Sequence, residues 1–306
     1  MKKKKIIWSD IWFYVAVLAI PVFKYVFDHV FINFNSILMA FQKVNIDTGK
    51  LEFAGFENFA EILDLVFHTE QLKLSLWRSI WAYLVTLVVT TVIPVFLVYY
   101  VWKRFWLSEF FKVVLFLPSV VSSIITMTIF RFLANRLAPE IVYNLFGKEI
   151  MGLTSNPDTS FVSVLVYSLW MGLGGGLLTM LGSMNAIDNE IIEAGVIDGT
   201  NAFTEFWHIV LPGIYRIVSI GFITGIISIF TADYGLYGFY GSGADPQTWT
   251  IGYYFNARTI EAQASQLPLY ASWGILLSAI AIPLTLTARY LIYNKGPREE
   301  DEKEKL

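Results

Sequence analysis

The sequence predicts an all-α membrane protein with about six transmembrane helices, and three observations carry that prediction. Of the 306 residues, 56% are hydrophobic and only 15% are charged, with a mean hydropathy of +0.56. A soluble domain carries roughly 25% charged residues. The apolar residues also fall in long runs, and a bilayer core needs roughly 20 of them as helix. Finally, these runs lack the polar stripe of a helix half-buried in a soluble core.

Taken in order, the first helix is placed at about 11–42, where Lys24, Asp28 and His29 interrupt the apolar run. Lys2 to Lys5 precede it in the manner of a signal peptide, but the run is too long and no small-residue cleavage pattern follows. It is read as a retained helix. The second, at about 78–101, holds the charge-free window Ser79 to Val101, and the third, at about 112–134, holds Val113 to Phe130. The fourth, at about 161–184, is centred on Phe161 to Ser183. The fifth and sixth, at about 212–232 and 267–293, hold Ile217 to Ala232 and Leu267 to Ala288. Residues 297–306, with the run Glu299 to Glu302, read as a disordered charged tail. No second soluble domain is visible, so residues 1–306 form a single transmembrane domain.

Cytoplasmic loops favour Lys and Arg. Six crossings put Lys2 to Lys5, then Lys103, Arg104 and Lys112, then Arg216, Arg289, Lys295 and Arg298 on one side. Both termini are therefore expected in the cytoplasm. Residues 43–78, 131–160 and 233–266 become outer loops, and 102–112 and 185–212 inner ones. The sequence contains no cysteine, which excludes disulfides and thiolate metal sites. It has no G-x-x-x-x-G-K-[ST] phosphate loop, and His29, His68 and His208 are isolated. No catalytic residue, no metal site and no nucleic-acid partner are expected, and lipid is the surrounding medium.

The inner segment from Asn185 to Pro212 does not read as a flexible linker. Ile187, Ile191, Ile192, Gly195 and Val196 recur near helical spacing, and Phe203, Phe206, Trp207 and Val210 do so again. The pattern is two short helices broken at Gly199, with Thr200 or Asn201 capping the second. Pro212 then opens the fifth membrane helix. Such a half-apolar element either lies on the chain's own inner surface, or flat on the membrane, or docks a cytoplasmic partner.

Glu193-Ala194-Gly195, then Gly199, then Ile209, Leu211 and Pro212 resemble the EAA loop of binding-protein-dependent ABC importer permeases, whose signature is E-A-A, three residues, G, nine residues, I-x-L-P. Gly195 in place of the third-position Ala is the single departure. Phe53 to Phe59, Phe110 to Pro118, and Trp170 with Gly172 extend the resemblance over about residues 12–293, nearest to the carbohydrate branch of the maltose and glycerol-phosphate type. Gly241 to Pro246 only approximates that branch's G-G-G-P segment.

The resemblance implies a type I ABC importer permease fold and a non-catalytic subunit, with ATP and Mg held by a partner chain. It implies a second, homologous permease, two ATPase subunits and an extracytoplasmic solute-binding protein. The membrane would be a bacterial or archaeal cytoplasmic one, and the cargo a sugar. Glu193, Ala194, Gly195, Gly199, Phe206, Trp207, Ile209, Leu211 and Pro212 would couple to the ATPase, with Phe206, Trp207 and Leu211 as apolar anchors. Ser119, Ser123, Ser168, Met171, Gly172, Ser228, Thr231 and Asp233 stand where related sugar permeases line the pore. For the Ser and Thr residues the competing reading is backbone bonding or helix contact. Asp233 either faces a cavity or lies at the outer interface. The alternative functions are an ion-coupled secondary transporter working alone and an assembly scaffold.

Overall fold

The structure, a computed structural model, describes residues 8–28, 33–45 and 48–296. The chain divides into two compact units, one of residues 1–66 and 262–278, the other of 67–261 and 279–306. His29 and the charged tail lie outside the described residues.

In the first unit, helices α1 (Trp8–Tyr25) and α2 (Asn33–Ala40) fall in the first predicted span. The segment expected as a loop after it is structured. Strands β1 (Gln42–Val44) and β2 (Leu51–Phe53) pair antiparallel with Lys43 opposite Glu52, and helix α3 (Glu57–His68) follows. Strands this short escape a hydropathy window. Asn58, 1% exposed, holds the motif together, its Nδ2 donating to Ala40 O at 2.9 Å and Gln42 O at 2.8 Å. Phe59 packs against Phe41 and Phe56 at ring separations of 5.0 and 5.6 Å, and Lys43 lies 3.4 Å from Glu57 and 3.2 Å from Glu61. Asn58→Leu removes both donors and leaves the carbonyls unsatisfied. It is expected to cost about 2 kcal/mol, seen as a lower midpoint in thermal unfolding of the purified chain.

In the second unit, α4 (Glu70–Leu87) continues through a widened turn, Val88–Val92, into α5 (Ile93–Trp102). The span therefore begins at Glu70 rather than at 78. Its amino end is charged, with Lys73 bonded to Glu70 at 2.8 Å and the Arg78 guanidinium donating to Trp249 O at 2.7 Å. Charge-free windows exclude such a turn although it is helical.

The third predicted span, 112–134, is not one helix. Helix α6 (Ser108–Val120) breaks at 121–122 before α7 (Ser123–Phe132), the widened turn Leu133–Leu137 and α8 (Ala138–Phe146). The two arms are bent by 107°. Hydropathy continues across the break, so composition hides it. The fourth span is also broken: α9 (Pro157–Leu173) and α10 (Leu177–Asn185) flank Gly174 to Gly176. It starts at Pro157, four residues before the expected position, because Asn156 caps it by accepting from Asp158 N at 3.0 Å.

Helices α11 (Asn189–Ile197), α12 (Ala202–Glu205) and α13 (Leu211–Gly213) form the 185–212 segment, and α14 (Tyr215–Thr231) is the fifth span. Then come α15 (Leu236–Tyr240), a 3₁₀ turn at Pro246–Thr248, α16 (Ile251–Glu261) and α17 (Leu267–Lys295). Among the described residues, five helices are long and apolar enough to cross a membrane, or six counting the bent pair.

The widened turns at 88–92, 133–137 and 206–210 share a cause. Each five-residue turn ends two residues before a proline: Val88–Val92 before Pro94, Leu133–Leu137 before Pro139, and Phe206–Val210 before Pro212. Proline has no N–H and its ring clashes with the carbonyl four residues back. The chain opens by one residue, so Ile93, Ala138 and Leu211 donate to Val88 O, Leu133 O and Phe206 O. Pro212 therefore does not open the membrane helix but ends the loop's second helix, and α14 begins at Tyr215.

Helix α4 packs against α14 and α16, α5 against α10, and α6 against α9. One core cluster joins Val95, Val98 and Tyr99 to Leu177, Met180 and Met184, and to Phe206, Val210 and Ile214. Another joins Val164 and Tyr167 to Leu236, Phe239 and Tyr253.

Candidate functional site

The 185–212 segment is built by strong local rules. Helix α11 ends in a Schellman turn: Thr200 N donates to Gly195 O at 3.0 Å and Gly199 N to Val196 O at 3.1 Å, with Gly199 at φ +79°. The next helix opens with a capping box. Asn201 Oδ1 accepts from Phe203 N and Thr204 N at 3.0 and 2.9 Å, and Asn201 N donates to Thr204 Oγ1 at 2.8 Å. Gly199→Ala forces a Cβ into the left-handed region and is expected to cost about 1 kcal/mol. Gly199→Asn should cost less, a difference readable in thermal inactivation.

Gly195 explains its own departure from the E-A-A pattern. It is buried, and a Cβ there would lie 2.7 Å from Ile209 Cδ1 and 3.2 Å from Thr200 Oγ1. The site is thus a contact between the two helices and not a surface. Gly195→Leu is expected to pry the helices apart and reduce uptake about tenfold, whereas Gly195→Ala asks only that the Ile209 methyl turn aside.

The segment sorts its side chains into two faces. Phe206, 4% exposed, stacks on Phe96 at 4.9 Å and meets Tyr99 edge-on at 5.0 Å. It belongs to the chain's own core and is not available to a partner, and Leu211 packs against the same cluster. The other face is bare: Ile197 is 85% exposed and Phe203 71%, with Ile191, Val196 and Trp207 also open. Glu193 and Ala194 are exposed beside them, as is Pro212, whereas Ile209 is half-buried. The resemblance gives Phe206 as an apolar anchor, but the aromatic side chains this segment exposes are Phe203 and Trp207. Phe203 and Trp207 lie four apart with rings 6.1 Å apart, a signal present in the sequence.

Sequence reasoning missed Glu205. It is 3% exposed, and Lys103 Nζ lies 2.9 Å from both its carboxylate oxygens. The Tyr99 hydroxyl donates to Ala202 O at 2.9 Å and lies 3.3 Å from Glu205 Oε1. Lys103 caps α5, 102 residues away, so no local pattern announces the pair.

The residues proposed to line a path are only partly brought together. Ser119 and Ser123 flank the break between α6 and α7. A Cβ on Gly174 would meet Leu115 O at 2.6 Å and Ser119 at 3.2 Å, so the break between α9 and α10 packs closely against the last turns of α6. Tyr167 OH donates to Ser123 O at 3.0 Å, and Met171 packs near Tyr167. Gly172 faces Thr90, whose methyl is 2.8 Å from where a Cβ would stand. Ser168 is half-buried on α9. Ser119, Ser228 and Thr231 bond carbonyls of their own helices, Phe116 O, Gly225 O and Ile227 O. Asp233 accepts from Gly235 N at 3.0 Å and Tyr237 N at 3.3 Å, which fixes the turn into α15.

Among the described residues no group of three or more His, Asp or Glu side chains is arranged to hold a metal. What the geometry offers is a structured loop with an apolar face and a pair of closely packed, broken membrane helices. This is the form of a multi-pass membrane protein. The chain belongs to the family of binding-protein-dependent transport system inner membrane components, whose model matches residues 97–295.

Relatives agree with that assignment. The arabinooligosaccharides transport system permease protein AraP of Bacillus subtilis (strain 168) is 26% identical over 179 residues, 57% of this chain and 55% of that one. The matched part thus spans about half the length of that relative. AraP of Halalkalibacterium halodurans is 24% identical over 269 residues, covering 85% of this chain and 82% of that one. The maltose/maltodextrin permease MalF of Escherichia coli (strain K12) is 27% identical over 164 residues, covering 52% of this chain and 31% of that one. In three dimensions the chain is similar to a chain of a bacterial ABC transporter involved in the import of the acidic polysaccharide alginate. That match has a TM-score of 0.73 and 16% identity, and covers 94% of this chain and 98% of that one. At that identity the likeness shows the fold.

Proposed function

We propose that this chain is the permease subunit of an ABC importer that moves a sugar, an oligosaccharide in particular, across the cytoplasmic membrane. One observation carries the coupling part of the reading. The 185–212 loop is rigidly built yet leaves Ile191, Val196, Ile197, Phe203 and Trp207 exposed around Glu193. Exposed apolar side chains on an ordered element mark an interaction surface, and these suit an ATPase groove. Glu193 supplies a charge-assisted contact there. The basic residues at 103, 104, 112 and 216 favour the cytoplasm for this side and for both termini.

Sugar as cargo is supported by the names of the relatives and by closely packed broken helices carrying Ser119 and Ser123. Non-helical backbone at membrane depth is tolerated where it lines a water-filled cavity or is buried in protein. The break at 121–122 and the glycines at 174–176 therefore favour a path on this face, closed by a second permease. An extracytoplasmic binding protein delivers the cargo, and ATP and Mg are held by the ATPase pair.

The test is purification of the tagged chain from its own membrane. An ATP-hydrolysing subunit is expected to co-purify and to be lost on Glu193→Arg. Unchanged ATPase association after deletion of 190–207 would sink the reading. Uptake in vesicles driven by a proton or sodium gradient without ATP would favour an ion-coupled transporter instead.

A further inference from the structure

The coupling loop joins the fourth and fifth spans covalently, through α10 and α14, but the structure ties it to a third element as well. Glu205 carries the tie. Its carboxylate is buried, holds Lys103 Nζ at 2.9 Å on both oxygens, and has the Tyr99 hydroxyl 3.3 Å away. Tyr99 also donates to Ala202 O at 2.9 Å, one turn earlier on the same coupling helix. Both residues stand at the last turn of α5. The contact is clad by the stack of Phe206 on Phe96 and the edge contact of Phe206 with Tyr99.

Such a pair is an uneconomical way to add stability, because desolvating the buried Glu205 carboxylate offsets much of its attraction to the half-buried Lys103. An apolar pair of the same size would hold the helices together as well. A bidentate ion pair instead fixes register, since sliding either helix by a turn strands a buried charge. The surroundings demand that register: Arg104 and Leu107, just beyond Lys103, are held at φ +53° and +60° without being glycines. The loop after α5 is therefore constrained at both ends, by the clamp and by α6.

We propose that Glu205 is a positioning residue of energy coupling: with Lys103 and Tyr99 it makes the second coupling helix and the end of the second span one body. A displacement imposed on the loop then moves the second span directly, not only the fourth and fifth to which the loop is joined. The proposal rests on the reading of the loop as the ATPase docking element. It differs in that Glu205 faces away from the partner and acts on what the captured stroke moves.

The experiment uses the complete transporter reconstituted in vesicles, with uptake per ATP hydrolysed as the readout. Glu205→Gln keeps size and loses charge. It is expected to leave ATPase association and ATP hydrolysis in place while uptake per ATP falls about tenfold. The chain has no cysteine of its own, so Lys103→Cys with Glu205→Cys gives a reversible tie. Bridged by a short bis-methanethiosulfonate, which forms a disulfide to each cysteine with loss of sulfinate and is cleaved by reductant, this double variant is expected to transport; after cleavage the same protein should hydrolyse ATP without transporting. The proposal is overturned if Glu205→Gln transports with unchanged stoichiometry. It is equally overturned if the bridged and cleaved forms transport alike. Should Glu205→Gln fail to insert in the membrane, the cysteine pair decides alone, because both of its forms are one folded protein. ATPase association that survives Glu193→Arg would be the failure of the docking reading, and is scored separately.

Discussion

Gly252→Ala is expected to remove the folded protein from the membrane, the largest effect of any single methyl group in this chain. A Cβ at that position would stand 2.6 Å from Ala232 O and from Thr231 C, and 2.8 Å from Ala232 N. All of these are backbone atoms at the end of α14, which cannot turn aside as a side chain can. The start of α16 is pinned there from several directions. Thr250 Oγ1 donates to Ala232 O at 3.0 Å, Ile251 N donates to Ser79 Oγ at 2.9 Å, and Arg78 holds Trp249 O. The helix cannot retreat without breaking these bonds, so the cost is expected to reach about 3 kcal/mol or more. Gly182→Ala is the matched control, since nothing lies within 4 Å of its added Cβ. That change should stabilise α10 by a fraction of about 1 kcal/mol. Thermal unfolding and the yield of membrane-inserted protein read both.

Gly174→Val is expected to lower the stability of the protein, and the molecules that still insert should dock their ATPase but transport at least tenfold less. Gly174 sits in the break between α9 and α10, where α6 packs so closely that a Cβ would meet Leu115 O at 2.6 Å. The added isopropyl group pushes α6, and with it Ser119, away from the break. The cluster around Phe206 and Met184 reaches this point through Leu177 and Leu115, but the exposed side chains of the coupling loop lie outside it and are expected to keep their partner contact. Gly172→Ala is the graded comparison: its Cβ meets only the Thr90 methyl, which can rotate, so a smaller loss follows. Loss of ATPase association in Gly174→Val would show that the two regions are not separable, and unchanged uptake would remove this contact from the path.

Much of the local structure was legible because short-range rules wrote it. The Schellman turn needs a residue at φ +79°, and Gly199 is there; the capping box needs Asn201 and Thr204 at their spacing. The exposed pair Phe203 and Trp207 was visible as a four-residue interval. Which aromatic faced outward was not, because Phe206 is drawn inward by Phe96 and Tyr99, about 110 residues earlier in the chain. Asp233 read as facing a cavity or lying at the outer interface, and in the fold its carboxylate accepts from two backbone N–H groups of the next turn.

The sequence alone determined the membrane assignment with its apolar spans, the two-helix loop at 185–212 and the family signature within it. Those features depend on composition and on intervals of a few residues. Tertiary structure decided that the third and fourth spans break and pack together, that the helices begin and end on widened turns before proline, and that Lys103 meets Glu205. Hydropathy averages over about a helix length and passes across a two-residue break without change. An ion pair between residues 102 apart has no local trace, because each partner on its own reads as a solvated charge and only the packing of α5 against the loop buries the Glu205 carboxylate beside Lys103.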